Sequence, residues 1–87
     1  MKFRYFKHDD CGVCKAILPK VENVAKKYDI EIEIIDTKKH PDIAAQKLIF
    51  TVPVLIVEHE NKELNRWVRN FSIQDLEEET KYYLERI

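Results

Sequence analysis

The chain predicts an α/β fold of order β-α-β-α-β-β-α, a central four-stranded mixed sheet flanked by helices, in one domain over residues 1–87. Segments whose apolar residues alternate in twos take turns with segments that repeat at three and four, the strand and helix periods. The first two strand-like segments are separated by a long helical one, which requires a parallel crossover. The last two are separated only by a polar turn, which makes them antiparallel.

Lys2 to Lys7 reads as the first strand, with Phe3 and Tyr5 on one face and Arg4 and Phe6 on the other. A polar loop, His8-Asp9-Asp10, follows it. Val13, Ile17, Val21, Val24, Ala25 and Tyr28 then recur at helical spacing, so a helix starts at the cysteines and ends near Tyr28, with Pro19 expected to kink it. Ile30, Ile32 and Ile34 alternate with Glu31 and Glu33 as a second strand. Pro41 opens a short helix that turns Ile43, Ala44, Leu48 and Ile49 inward. Val52 to Val57 reads as a buried strand with Pro53 at its beginning, Glu58 to Lys62 as a polar turn, and Glu63 to Arg69 as the partner strand carrying Trp67 as core. Ile73, Leu76, Thr80, Tyr83, Leu84 and Ile87 mark the last helix, capped by Ser72 with Asp75 completing a capping-box-like start. Glu77-Glu78-Glu79 is expected to form a solvated helix face.

Composition narrows the function. With 15 Lys and Arg against 16 Asp and Glu, no basic excess exists to neutralise phosphates, so no nucleic-acid partner is expected. The longest apolar run, Val52 to Val57, is too short to span a bilayer, so no membrane association is expected either. Lys2 and Arg4 interrupt the N-terminal apolar residues and no long apolar stretch follows, which argues against a leader and for the cytoplasm, where thiols stay reduced.

Two cysteines in that setting are not a framework. A disulfide closing only two intervening residues constrains little of the unfolded chain. Cys11-Gly12-Val13-Cys14 instead joins a strand to a helix, whose free N–H groups and dipole favour a thiolate. Cys11 at the terminus is the expected nucleophile and Cys14, one turn deeper, the resolving thiol. Gly12 allows close approach of a substrate backbone, and Val13 lines that approach. Two other readings stay open. The cysteines could be inert core residues, although Gly12 and the polar loop argue for exposure. They could also ligate zinc or an iron–sulfur cluster, but only His8, His40 and His59 could assist and none forms a second ligand pair.

Cys11-Gly12-Val13-Cys14-Lys15, with Pro19 five residues after the second cysteine and Ala25 beyond, resembles the active-site helix of the thioredoxin family. Ile34-Ile35-Asp36 resembles the strand end before the family's second helix, and Thr51-Val52-Pro53 the segment that faces its cysteines. The resemblance implies a thioredoxin-like fold and thiol–disulfide exchange without a cofactor or metal. It implies a cis bond before Pro53 and a Val52 backbone that pairs with the substrate chain. The implied partners are disulfide-containing proteins and a reductase or glutathione as electron donor, and a monomer is expected, since the site must stay accessible.

The departures are specific. Asp10, preceded by Asp9, stands where the family has Trp, and two carboxylates beside Cys11 should oppose its ionisation. Tyr5 aligns with the buried Asp that helps deprotonate the second cysteine, and Ile32 with its companion Lys; neither is a base near neutral pH. His8 is read as a solvated loop residue that could offset the carboxylates if protonated. Arg69 replaces a glycine in the loop that lies against the family's active site, where it could bind a substrate carboxylate. Thr51-Val52-Pro53 is also typical of glutaredoxins, which makes glutathione-dependent reduction the nearest alternative; a metal-carrying or interaction module that keeps the fold is another.

Overall fold

The computed structural model describes all residues, Met1–Ile87. Its elements are β1 (Lys2–Lys7), α1 (Gly12–Lys27), β2 (Glu31–Asp36), α2 (Pro41–Gln46), β3 (Val54–His59), β4 (Lys62–Val68) and α3 (Ile73–Arg86). They form one four-stranded sheet in the order β2-β1-β3-β4, with β1 and β2 parallel and the other neighbours antiparallel.

Period-two alternation along β1 and β3 divides the core between the two faces of the sheet. Phe3, Tyr5, Leu55 and Val57 point to one side and pack with Val21, Val24 and Ala25 of α1 and Leu76 of α3. Phe6, Val54 and Ile56 point to the other and pack with Ile35 of β2, beneath Ile43 and Ile49 at α2. Burying an aliphatic or aromatic side chain of this size contributes about 1.5–3 kcal/mol, so these central strands anchor everything the site hangs from. No helix is long and apolar enough to cross a membrane.

Several boundaries differ from the sequence expectation. β3 begins at Val54, after a bend at Thr51 and Val52; the peptide bond between Val52 and Pro53 is cis. β4 ends at Val68; Arg69 adopts a left-handed backbone (φ 62°) and turns the chain away. The hairpin turn is shorter than Glu58 to Lys62. Only Glu60 and Asn61 lie outside the strands, both at positive φ (53° and 67°), the conformation that matches the twist of paired strands. Glu58 is therefore a strand residue, buried beside Lys47 (3.1 Å) and Arg4 (3.6 Å).

Leu48 does not turn inward. α2 stops at Gln46, and Leu48, at φ 57°, is 62% exposed while Ile43, Ala44 and Ile49 remain packed or half-buried. Val13 at the start of α1 and Leu84 and Ile87 at the end of α3 are also exposed.

Ser72 caps α3 by accepting the Asp75 N–H at 3.2 Å. The acidic run on α3 is not simply solvated. Glu77 receives Lys27 Nζ (3.0 Å) and the Tyr28 hydroxyl (3.1 Å), and Glu79 receives Asn65 Nδ2 and the Tyr83 hydroxyl (both 2.6 Å); Glu78 is exposed and accepts only from Gln74 of its own helix (3.4 Å). The run ties α3 to α1 on one flank and to β4 on the other. Trp67 is half-buried against the first core cluster.

Candidate active site

β1 ends in the loop His8-Asp9-Asp10, held closed by the Cys11 N–H donating to the His8 carbonyl (3.2 Å). That turn sets Cys11 as the N-cap of α1, with extended backbone angles and its Sγ accepting the Cys14 N–H at 3.1 Å. A cap sulfur that receives a helix N–H sits where an anionic thiolate is best stabilised. Cys14, one turn on, is 2% exposed, while Cys11 is half-buried. The two sulfurs are bonded, with Cα atoms 5.2 Å apart, so the structure represents the oxidised pair. A side chain built at Gly12 would meet nothing within 4 Å, and Gly12 and Val13 both face solvent beside the disulfide. Gly12 is thus not demanded by internal packing.

The carboxylates beside Cys11 oppose its ionisation less than the sequence suggests. Lys7 hydrogen-bonds Asp9 (2.9 Å) and Lys38 hydrogen-bonds Asp10 (2.6 Å), each lysine holding its carboxyl below the usual range. Both remain ionised, but each faces a cation, which screens the pair of negative charges from the sulfur. Lys38 lies after β2, and nothing in the sequence signalled that it reaches the loop.

Tyr5 is fully buried, and its hydroxyl donates to the Cys14 carbonyl at 2.7 Å. Burial pushes its phenol up to about 12, which removes it as a base for either sulfur. Asp36, at the end of β2, is burdened by burial. The Lys39 and Lys38 backbone N–H groups (3.1 and 2.9 Å) and Lys7 (3.5 Å) outweigh that and hold its carboxyl below its ordinary value.

A groove of about 420 Å³ opens in front of Cys11. Its far wall is the stretch Ile49–Val52, and Arg69 and His8 stand at its rim. Arg69 donates its backbone N–H to the Pro53 carbonyl (2.7 Å) and its guanidinium to Thr51 Oγ1 (3.2 Å), so it belongs to the groove rather than to open surface. Val52 lies outside β3 and neither its N–H nor its C=O is taken by another backbone group, whereas the flanking Pro53 carbonyl is. Phe50 is 88% exposed on the same wall, a residue the sequence did not single out. His8 is half-buried at the groove rather than solvated, with its Nδ1 shut from solvent. Arg66 of β4 anchors the stretch leading into the wall, donating to the Lys47 and Leu48 carbonyls (3.0 and 3.3 Å) while clasping Glu63. No group of three or more His, Cys, Asp or Glu is placed to hold a metal ion.

A mixed sheet with a CxxC disulfide at the N-terminus of its first helix, across a groove from Thr51 and Val52, defines a thiol–disulfide oxidoreductase. Comparison with known proteins agrees. The thioredoxin family's sequence pattern matches residues 5–81. The structure of thioredoxin 1 from the thermophilic eubacterium Thermosipho africanus superposes with a TM-score of 0.93 at 49% identity, covering 98% of this chain and 96% of that one. A thioredoxin-like protein of Bacillus subtilis, YdfQ, is 30% identical over 80 residues, 91% of this chain and 71% of its own length. A thioredoxin of Staphylococcus epidermidis is 33% identical over 60 residues, 67% of this chain; the match spans 58% of that protein. The chain belongs to the thioredoxin family.

Proposed function

We propose that the protein reduces disulfides in other proteins, acting as one unit over residues 1–87, with Cys11 attacking and Cys14 resolving. One observation carries this division of labour. Cys11 Sγ stands accessible at the helix terminus and receives a backbone N–H, while Cys14 is sealed behind it. The Cys11 thiolate attacks one substrate sulfur, the substrate S–S bond breaks, and the departing sulfur takes up a proton. Cys14 then loses its proton and attacks Cys11 Sγ, forming the intramolecular disulfide and releasing the second substrate sulfur as a thiolate. Two electrons pass to the substrate, and a reductase or glutathione restores the dithiol.

The groove supplies the docking surface. Val52 offers a free N–H and C=O to an extended peptide beside Pro53, Gly12 and Val13 leave room over the disulfide, and Arg69 meets a carboxylate on the guest chain. A monomer in a reducing compartment, the cytoplasm, fits this role, since the site must stay open and its thiols reduced.

Insulin-disulfide reduction tests the assignment. Cys11→Ser should abolish turnover, and Cys14→Ser should accumulate a covalent adduct with substrate, visible by intact mass. Full activity in the Cys11 variant would reverse the roles. The Arg69 guanidinium and Thr51 at the groove rim favour a second reading, glutathione as donor. Coupled assays with glutathione and its reductase, against thioredoxin reductase, separate the two.

A further inference from the structure

The resolving step requires something to accept the Cys14 proton, and the residues around that buried thiol are nearly all committed. The Tyr5 hydroxyl is spent on the Cys14 carbonyl, and its phenol lies far too high to serve. Asp9 is held ionised by Lys7 and is a correspondingly weak base. Lys7 and Lys15 are cations, which donate only. Asp10 is occupied by Lys38.

His8 differs from all of these. Its Nδ1 is buried and no protein group pairs with it, so that nitrogen is not committed to the fold. It is also the one residue that lines two cavities. The groove in front holds Cys11, and a smaller cavity of about 130 Å³ behind holds Cys14, with Leu18 at its wall. The charged groups facing it are Lys7 and Asp9 beside it in the chain, Asp10 across the loop, Lys15 from α1 and Arg69 from beyond β4.

We propose that His8 accepts the Cys14 proton as that sulfur attacks the mixed disulfide, directly or through a water in the rear cavity, and delivers it to the substrate thiolate in the front groove. The inference rests on the disulfide-reducing reading above. The Cys14 S–H bond breaks and its electron pair forms the Cys14–Cys11 bond. The Cys11–substrate bond breaks with its pair on the substrate sulfur, and the imidazolium returns the proton to that sulfur or to water. An imidazole suits this transfer because it exchanges protons near neutral pH.

Rapid mixing of the reduced protein with dithionitrobenzoate resolves the two steps. The first release of coloured thiolate reports attack by Cys11 and the second reports attack by Cys14, and this thiolate leaves without needing a proton. His8→Gln should slow the second release by about ten- to a hundredfold while changing the first by less than about twofold. Its second-phase rate should depend more steeply on hydroxide than the wild type's does. Free imidazole should restore the second phase in His8→Ala, and Asp9→Asn should leave it intact. A second phase of wild-type speed in His8→Gln, an unchanged pH profile, or slowing that imidazole does not relieve would overturn the proposal. Absence of any first release in the wild type would instead remove the disulfide-reducing reading on which it stands.

Discussion

Replacing Tyr5 with Phe removes a single oxygen from the centre of the molecule and leaves the ring in place. That oxygen donates to the Cys14 carbonyl at 2.7 Å from a side chain with no exposed surface, so no water can take its place. A net hydrogen bond contributes about 0.5–1.5 kcal/mol, and a stranded buried acceptor raises the loss towards about 3. In a regular helix the Cys14 carbonyl also receives the Leu18 N–H, which keeps the expected loss near 1–2 kcal/mol by the same scale. For a domain of this size each kcal/mol lowers Tm by about 4–8 °C.

Alkali supplies an independent signature of the same group. Burial raises the Tyr5 phenol from 10.0 to about 12, so folding favours the neutral form. Its contribution is complete below pH 10 and drains away as the pH rises to about 12. Two units at about 1.4 kcal/mol each make roughly 3 kcal/mol that the wild type loses into alkali and that Tyr5→Phe, with no phenol to ionise, keeps. Tyr83 is likewise raised to about 12, by burial and then by Glu79, but it titrates in both proteins and cancels in the difference. Urea unfolding of the oxidised proteins at neutral pH and then stepwise into alkali measures both effects. Equal stability at neutrality, with curves that stay parallel into alkali, would mean that the hydroxyl is not engaged with α1.

Acid should act through Asp36. Its folded carboxyl lies below the unfolded value, so its stabilising contribution is present above the ordinary carboxylate range and is lost as pH falls through the folded value. Asp36→Asn should therefore be less stable at neutral pH and converge on the wild type in acid, read as denaturation midpoints across pH; parallel curves would refute it. Lys38→Ala should leave Asp10 unpaired and raise the pKa of Cys11, slowing alkylation of that thiol by iodoacetamide at neutral pH. The difference should shrink in high salt, because the pair is exposed; an unchanged alkylation rate at low salt would show that Asp10 does not act on the sulfur.

What could be read in advance follows from how local each signal is. The order of elements along the chain, the α1 start at the cysteines and the Ser72 cap depend on periods and caps spanning a few residues, and these appear at their expected places. Tyr5 and the cysteines share a site because the length of the β1–α1 loop leaves little alternative. The pairings that set the charge around Cys11 were not legible, since Lys38 meets Asp10 across 28 positions and Arg69 meets Thr51 across 18. Leu48 misled because its apolar character continued the α2 pattern while a left-handed backbone ended the helix two residues earlier. His8 was misplaced for a related reason: polarity suggests water, but the far wall of the front groove, Ile49–Val52 with Arg69, comes from distant elements.

The outer strands β2 and β4 carry Glu31, Glu33, Lys62, Glu63 and Arg66, charges that a passing chain would have to strip of water before zipping alongside. Across Phe50–Val52, beside Cys11, the backbone is unclaimed over three residues. Under the proposed function, charged edges of this kind would keep a guest chain from adding along the sheet, and the short open stretch would leave it one place to pair, brief enough to release once the sulfurs have traded places.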